Sequence, residues 1–319
     1  MGPPVAHAFA AAGWHVSLFS RTRAAAGSLP AGCDQFEGDL FDERRVADAV
    51  AGADVVVHLA GLLHIVDADA SLAGEYVRVN VDGTRRVVAA ARQAGVTRLV
   101  LASTIAVYGP TEGRVADETT VAAPDSAYAS SKLASEQVVL SEVRPDGAPL
   151  GVVLRLAAVY GARVKGNYER LVRALAAGRF VPVGSGTNRR TLVYERDAAR
   201  AFVLAAEHPG APGRIFNVTD GRIHTVAAIT EAVCKALGRR PPGIVIPVAA
   251  ARSAAVLIER ICQTVGRRPP LSRRTLTKYL ENVEVSGESL ARDLGFSPQW
   301  DLDSGWRDAV QEMKRIGRV

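Results

Sequence analysis

Apolar residues in the first half of the chain come in short unbroken runs separated by stretches of helical period. Trp14–Ser20, led by Gly13, is a short apolar run that reads as a strand, and the residues after it read as a loop. Asp54–Ala60 (DVVVHLA) is the next strand, with Ala47–Gly52 before it as a helix end. Asn80–Ala94 has helical period and closes at Gly95, the residue type that most easily takes the left-handed cap conformation. Arg98–Ser103 then reads as a strand, Tyr128–Val143 as a long helix and Val152–Leu156 as another strand. Strands with continuous apolar runs, alternating with helices, predict a parallel sheet covered on both faces.

Beyond Gly161 the rhythm loosens. Helices at Tyr168–Ala177, Asp197–Glu207 and Val226–Leu237, a loop at Gly184–Thr187 and a strand at Arg214–Val218 are shorter and less evenly spaced. The expectation is an α/β fold: a doubly wound parallel sheet over residues 1–160, then a smaller α+β lobe over 161–319 with some segments returning to the main sheet.

Composition narrows the partners. The 39 Lys and Arg against 33 Asp and Glu leave +6, which suits a small anionic substrate and is too scattered to indicate nucleic acid. The densest basic stretch, from Arg239–Arg240 to Arg273–Arg274, is interrupted by Pro241–Pro242 and Pro269–Pro270 and reads as solvated surface. The most apolar helix candidate, Val248–Val265, holds Arg252, Glu259 and Arg260, so it is not a membrane span. Cys33, Cys234 and Cys262 lie far apart, without the spacing of a disulfide framework or a zinc site; the histidines share no ligand spacing either. With no basic start and apolar run after Met1-Gly2-Pro3-Pro4, a cytoplasmic protein is expected.

The chemistry concentrates at Tyr128-Ala-Ser-Ser-Lys132, with Ser103-Thr104 upstream at a strand end. Residues four apart on a helix share a face, so Lys132 lies beside Tyr128. A phenol is a poor base at neutral pH; an adjacent ammonium stabilises the phenolate and brings it nearer the working range. Thr104 can hydrogen-bond the same substrate oxygen.

Around that pair stand Val57-His-Leu-Ala-Gly61, Asn80-Val-Asp-Gly-Thr84, Ser103-Thr-Ile-Ala-Val-Tyr-Gly109, Arg155-Leu-Ala-Ala-Val-Tyr-Gly161 and Arg190-Thr-Leu-Val-Tyr-Glu-Arg-Asp197. In order and spacing the chain resembles the extended short-chain dehydrogenases of the NAD-dependent epimerase/dehydratase family, especially UDP-hexose 4-epimerases and UDP-sugar 4-reductases. The resemblance implies a Rossmann-like fold, NAD or NADP as cofactor, a UDP-sugar as substrate and a homodimer. It makes Tyr128 the acid/base at the sugar C4 hydroxyl, Lys132 a further contact to the nicotinamide ribose, and Thr104 the residue sharing the substrate proton. On the cofactor side it assigns Asp39 and Leu40 to the adenine, Leu59, Ala60 and Gly61 to the strand end against the dinucleotide, and Asn80 to support of the lysine. On the substrate side it assigns Asn167 and Arg190 to the uracil and diphosphate, although Asn167 also reads as a helix cap. Arg21 follows the first strand where NAD-preferring members carry an acidic residue, which favours a ribose 2′-phosphate. His58 reads as a structural residue on a buried strand.

Two departures stand out. Ala158 replaces an asparagine frequent in hexose epimerases. The glycine-rich phosphate loop is represented only by Gly2, found by counting back from the helix-ending Gly13; the first strand and two earlier glycines have no counterpart. Pro3 and Pro4 supply no N–H to a phosphate, so weak dinucleotide binding is expected. Ile105-Ala106, where 4,6-dehydratases carry acidic residues, leaves a 4-epimerase or a one-way 4-keto reductase, with steroid-dehydrogenase-like enzymes third and a non-catalytic dinucleotide sensor or scaffold as the reading from another class.

Overall fold

A computed structural model describes residues 1–63, 72–111, 113–164, 166–264 and 272–319. Val265 and the Pro269–Pro270 pair, on which two readings above fall, lie outside the described residues. The chain opens on helix α1 (Gly2–Ala11), followed by β1 (Ser17–Ser20), β2 (Asp34–Glu37), α2 (Glu43–Val50) and β3 (Val55–His58). A short helix α3 (Ala73–Tyr76) runs through a π-helical turn (Val77–Asp82) into α4 (Gly83–Gln93). Then come β4 (Arg98–Thr104), a 3-10 turn (Ile105–Tyr108), α5 (Ala127–Leu140), β5 (Gly151–Leu156) and β6 (Ala158–Tyr160). The second half adds α6 (Asn167–Ala176), β7 (Arg189–Tyr194), α7 (Glu195–Glu207), β8 (Ile215–Val218), β9 (Ile223–Thr225) and α8 (Val226–Leu237). It finishes with α9 (Val248–Thr264), α10 (Arg273–Leu280), α11 (Glu288–Leu294) and α12 (Leu302–Arg315).

The fold is α/β and Rossmann-like. Four parallel strands lie in the order β3-β4-β5-β8, with Val100 beside Val152 and Leu154 beside Phe216. Leu99–Leu101 and Val152–Leu154 have no solvent exposure, as expected of strands hydrogen-bonded on both edges and covered on both faces. β1 and β2 form a separate parallel pair, and among the described residues no ladder joins β1 to β3. Val55–Val57 of β3 are accordingly half-buried, because β3 has a partner on one side only. Helix α1 presses Val5 and Phe9 into the core that also holds Phe202 of α7.

Three departures from the sequence pattern have simple causes. β2 reads as a loop because Asp34-Gln-Phe-Glu37 is largely polar and exposed; backbone pairing with β1, not burial, makes it a strand. The helix expected to reach Val143 stops at Leu140, and Val143 instead bridges to Pro149. β7, inside the Arg190–Asp197 motif, is defined by long-range pairing with β6 on one side and β9 on the other.

A second apolar cluster is built by α6, β7, α8 and α12 around Tyr160, Tyr194 and Trp306. Trp306 stacks on Tyr160 with ring centroids 4.3 Å apart. Its indole N–H has no hydrogen-bond partner in the structure, so its contribution is packing. Trp306→Ala should therefore lower unfolding free energy by about 3–5 kcal/mol in denaturant titration, and Trp306→Phe by clearly less.

Candidate active site

The site is organised by the turn that holds Asn80. In the π-helical segment the Asn80 carbonyl accepts hydrogen bonds from two side chains, Thr84 Oγ1 and Ser135 Oγ, the latter at 2.8 Å. Its amide Oδ1 accepts from Leu62 N at 2.7 Å, while Nδ2 donates to Leu62 O at 3.3 Å and to Ser131 Oγ at 2.9 Å. Ser131 Oγ in turn donates to the Tyr128 carbonyl at 2.8 Å. One buried amide thus ties the segment after β3 to the helix carrying Tyr128 and Lys132. Gly61 fits beneath it, since a Cβ there would stand 3.0 Å from Asn80 Oδ1.

His58 extends the network. Thr84 uses its proton on the Asn80 carbonyl, so the His58 Nε2–H must donate to Thr84 Oγ1, at 3.1 Å. That fixes the imidazole as the neutral Nε2–H tautomer. Burial, reinforced by the Lys132 charge, holds its pKa down at about 3.

Tyr128 lies in the first turn of α5, whose N-cap is Ser126. Its ring meets Tyr76 edge-on, with centroids 5.9 Å apart. Burial pushes its phenol up, and a hydrogen bond with Thr104 draws it back. Thr104 ends β4 and caps the 3-10 turn through Ala106 N at 3.2 Å, which holds its side chain at the carboxyl edge of the sheet. Lys132 is buried; desolvation lowers its ammonium to about 8, with the Glu136 carboxylate opposing the shift. Glu136, one further turn along α5, accepts from Arg155 Nη2 at 2.7 Å and from Ser103 Oγ, and Arg155 lies over the Tyr108 ring. The sequence reading did not use Glu136; its signal was the same four-residue spacing repeated once past Lys132.

The other cofactor-side candidates sit at strand ends. Arg21 follows β1 and is exposed, Asp39 and Leu40 follow β2, and Leu59–Gly61 follow β3. Asp39 accepts from Phe41 N at 2.9 Å, and Leu40 packs toward Gly83, where a Cβ would come within 3.2 Å. A parallel sheet receives ligands at these carboxyl ends. Gly2 begins α1 with only a 3.9 Å approach to Leu18 at its Cβ position, so nothing inside the protein demands a glycine there. No group of three or more metal-binding side chains occurs among the described residues.

In the second half, Asn167 is the first residue of α6 and exposed; the cap position belongs to Gly166. Arg190 lies on β7 opposite His224, which holds Asp220 at 2.6 Å. Its guanidinium donates to the carbonyls of Lys278 and Tyr279 at the end of α10, both at 2.9 Å, and to Arg189 O at 3.0 Å. Lys278 pairs with Asp125 at 2.6 Å, three residues before Tyr128. Helix α10 therefore bridges Arg190 to the start of α5 and brings the two halves of the candidate set together. Asp197, at the close of the same motif, is fully buried and accepts from Gln299 N, Trp300 N and Arg200, a structural use of the carboxylate.

The sequence model described as "NAD dependent epimerase/dehydratase family" matches residues 1–219. The chain belongs to that family. Its cofactor is accordingly a nicotinamide dinucleotide, and relatives include UDP-sugar epimerases. It is 31% identical over 290 residues to a 2-alkyl-3-oxoalkanoate reductase of Stenotrophomonas maltophilia, covering 86% of this chain and 85% of that one. It is 29% identical over 212 residues to the N-acetyl-alpha-D-glucosaminyl-diphospho-ditrans,octacis-undecaprenol 4-epimerase of Escherichia coli O157:H7, covering 66% of this chain and 62% of that protein, less than two thirds of its length. Among solved structures, the UDP-glucose 4-epimerase of Thermus thermophilus in complex with NAD superposes with a TM-score of 0.74 at 26% identity, over 98% of this chain and 95% of that one.

The neutral His58 carries a testable consequence. Its folded-state pKa of about 3 lies below the unfolded 6.5, so between those values the unfolded chain binds more protons and acid favours unfolding. Stability should fall by up to roughly 1.4 kcal/mol per pH unit in that window from this group alone. His58→Gln, which retains a donor for Thr84, should flatten the acid limb of a melting-temperature–pH profile; an unchanged limb refutes the buried neutral imidazole.

Proposed function

We propose that this family member interconverts the C4 configuration of a UDP-hexose through a 4-keto intermediate. The observation that supports the reading is the hydrogen bond between Tyr128 and Thr104 at the carboxyl end of β4, on a helix that Asn80 ties in place through Ser131. Bound dinucleotide supplies the hydride acceptor and donor at its nicotinamide. Tyr128 takes the proton from the C4 hydroxyl and returns it to the same oxygen once the 4-keto sugar has turned its opposite face to the nicotinamide, with Thr104 sharing the hydrogen bond to that oxygen. Lys132 offers a buried ammonium to the nicotinamide ribose and to the phenolate. Asp39 and Leu40 flank the adenine, Leu59, Ala60 and Gly61 line the dinucleotide, and Gly2 stands at its phosphates. Arg21, exposed at the end of β1, is placed for a ribose 2′-phosphate, so NADP is accepted. Asn167 and Arg190 hold the uridine diphosphate. The enzyme works as a homodimer in the cytosol, and no helix among the described residues is long and apolar enough to cross a membrane.

A second reading, one-way reduction of a ketone, has its own support. The oxoalkanoate reductase aligns over most of both chains, whereas the lipid-linked sugar epimerase aligns over about three fifths of its own length. The Arg190 donors, moreover, are already engaged by the carbonyls of α10. Incubation with a panel of UDP-sugars separates the two. Epimer formed with catalytic cofactor supports the first reading; stoichiometric consumption of reduced cofactor with a ketone supports the second.

Two substitutions test the assigned residues. Tyr128→Phe keeps the ring but removes the proton, and turnover should fall by about 10²–10⁴ with an unchanged melting temperature; near-normal turnover sinks the assignment. Arg190→Ala should weaken KM for UDP-sugars by the equivalent of about 1.5–3 kcal/mol while cofactor affinity holds. An unaltered KM removes the diphosphate role.

A further inference from the structure

The basic stretch that reads as solvated surface has a sharper structure than its sequence suggests. Residues 239–278 contain nine Lys or Arg and one acidic residue, a net +8 against +6 for the whole chain, so the remainder is slightly acidic. The same stretch holds α9, whose Ala251 and Ala255 are buried in the protein. About a quarter-turn away, Ala250, Ala254, Leu257 and Ile261 recur at intervals of four, three and four and form an apolar stripe that faces solvent. Leu257 is 60% exposed and Ile261 54%. The loop leading into α9 adds Ile244 at 76% and Val245 at 48%. Its next residue, Ile246, pairs with Val183 and is hydrogen-bonded to Pro182 O at 2.9 Å, which fixes the loop against the body of the protein. Glu259 clasps Arg273 N at 2.7 Å and Nε at 2.8 Å, so α9 is anchored at its other end by α10.

We propose that the α9 face, with the Ile244–Val245 loop, docks this protein onto an anionic lipid surface. A helix lying in the plane of a membrane needs an apolar stripe to sink among acyl chains and cations at its border for acidic headgroups. Arg260 supplies a cation on the flank of α9 beside the stripe, and Arg239, Arg240 and Arg274 stand exposed on the flanking segments. Their long stems can lie along the apolar boundary while the guanidinium groups reach the headgroups. The charge decides against a second copy of the chain as occupant: two such faces brought together would oppose their arginines, whereas an acidic bilayer neutralises them. Length and charge make this a helix that lies on the membrane; at 17 residues with Arg252, Glu259 and Arg260 it is not one that crosses it.

The test uses the full chain and sedimentation with vesicles of phosphatidylcholine alone or mixed equally with phosphatidylglycerol. Binding is expected only to the mixed vesicles, falling about tenfold or more when salt rises from about 0.05 to 0.5 M. Leu257→Glu places a like charge among the acidic headgroups and should abolish binding while melting temperature and turnover stay unchanged, since the residue is exposed. Leu257→Trp should show an emission blue-shift on mixed vesicles relative to the wild-type background. Failure to bind, or wild-type binding by Leu257→Glu, overturns the proposal. So does a blue-shift absent from a protein that still sediments, which would mean adsorption by charge alone. A dimer that Leu257→Glu dissociates, with no vesicle binding, would assign the face to a second copy instead.

Discussion

The buried amide of Asn80 sets the distance between the end of β3 and the helix that carries Tyr128 and Lys132. It reaches both Leu62 and Ser131 because the π-helical turn around it frees its carbonyl for Thr84 and Ser135, leaving the side chain to act as a clamp. A buried network of this kind is stable only when every member is satisfied. Here the hydroxyls, the amide and the imidazole of His58 each find a partner. The ammonium of Lys132 is the charged group that this scaffold surrounds. Its opposing influences, burial on one side and Glu136 on the other, leave it able to change charge within the range in which enzymes work.

The same logic governs the second layer. The buried Glu136 carboxylate is paired with Arg155, and Arg155 is sandwiched between that carboxylate and the Tyr108 ring. Tyr108 hands the network on to Asn217 of β8 at 2.8 Å, and Asn217 N donates to Glu118 at 2.6 Å. Helix α5, the central strands and the returning strand β8 are therefore bound by one polar chain through an otherwise apolar core. The Lys278–Asp125 pair and the contacts of Arg190 with the end of α10 likewise couple β7 and α10 to the start of α5.

The parallel core could be read from the chain because its central strands hold unbroken apolar runs, Leu99–Leu101 and Val152–Leu154, as double-sided burial requires. Helix α8 was legible to its last residue, since Thr225 caps one end and Gly238 in the left-handed conformation closes the other. Tyr128, Lys132 and Thr104 stood out as candidates because their spacing along a helix and at a strand end is local. Glu136 and the structural use of Asp197 were not, because their partners lie far away: Arg155 is 19 residues from Glu136, and Gln299 is 102 from Asp197.

The sequence by itself determined the family and the α/β class and put forward the Tyr128–Lys132 pair as a candidate, because each is written in short-range periodicity or fixed motif spacing. Only the tertiary structure decided that β1 and β2 pair apart from the four-stranded sheet, that β7 is held between β6 and β9, that His58 is a neutral donor, and that α9 turns leucine and isoleucine outward. Those outcomes depend on which distant segments compete for the same backbone edge or the same buried face, and that competition is settled only when the whole chain packs.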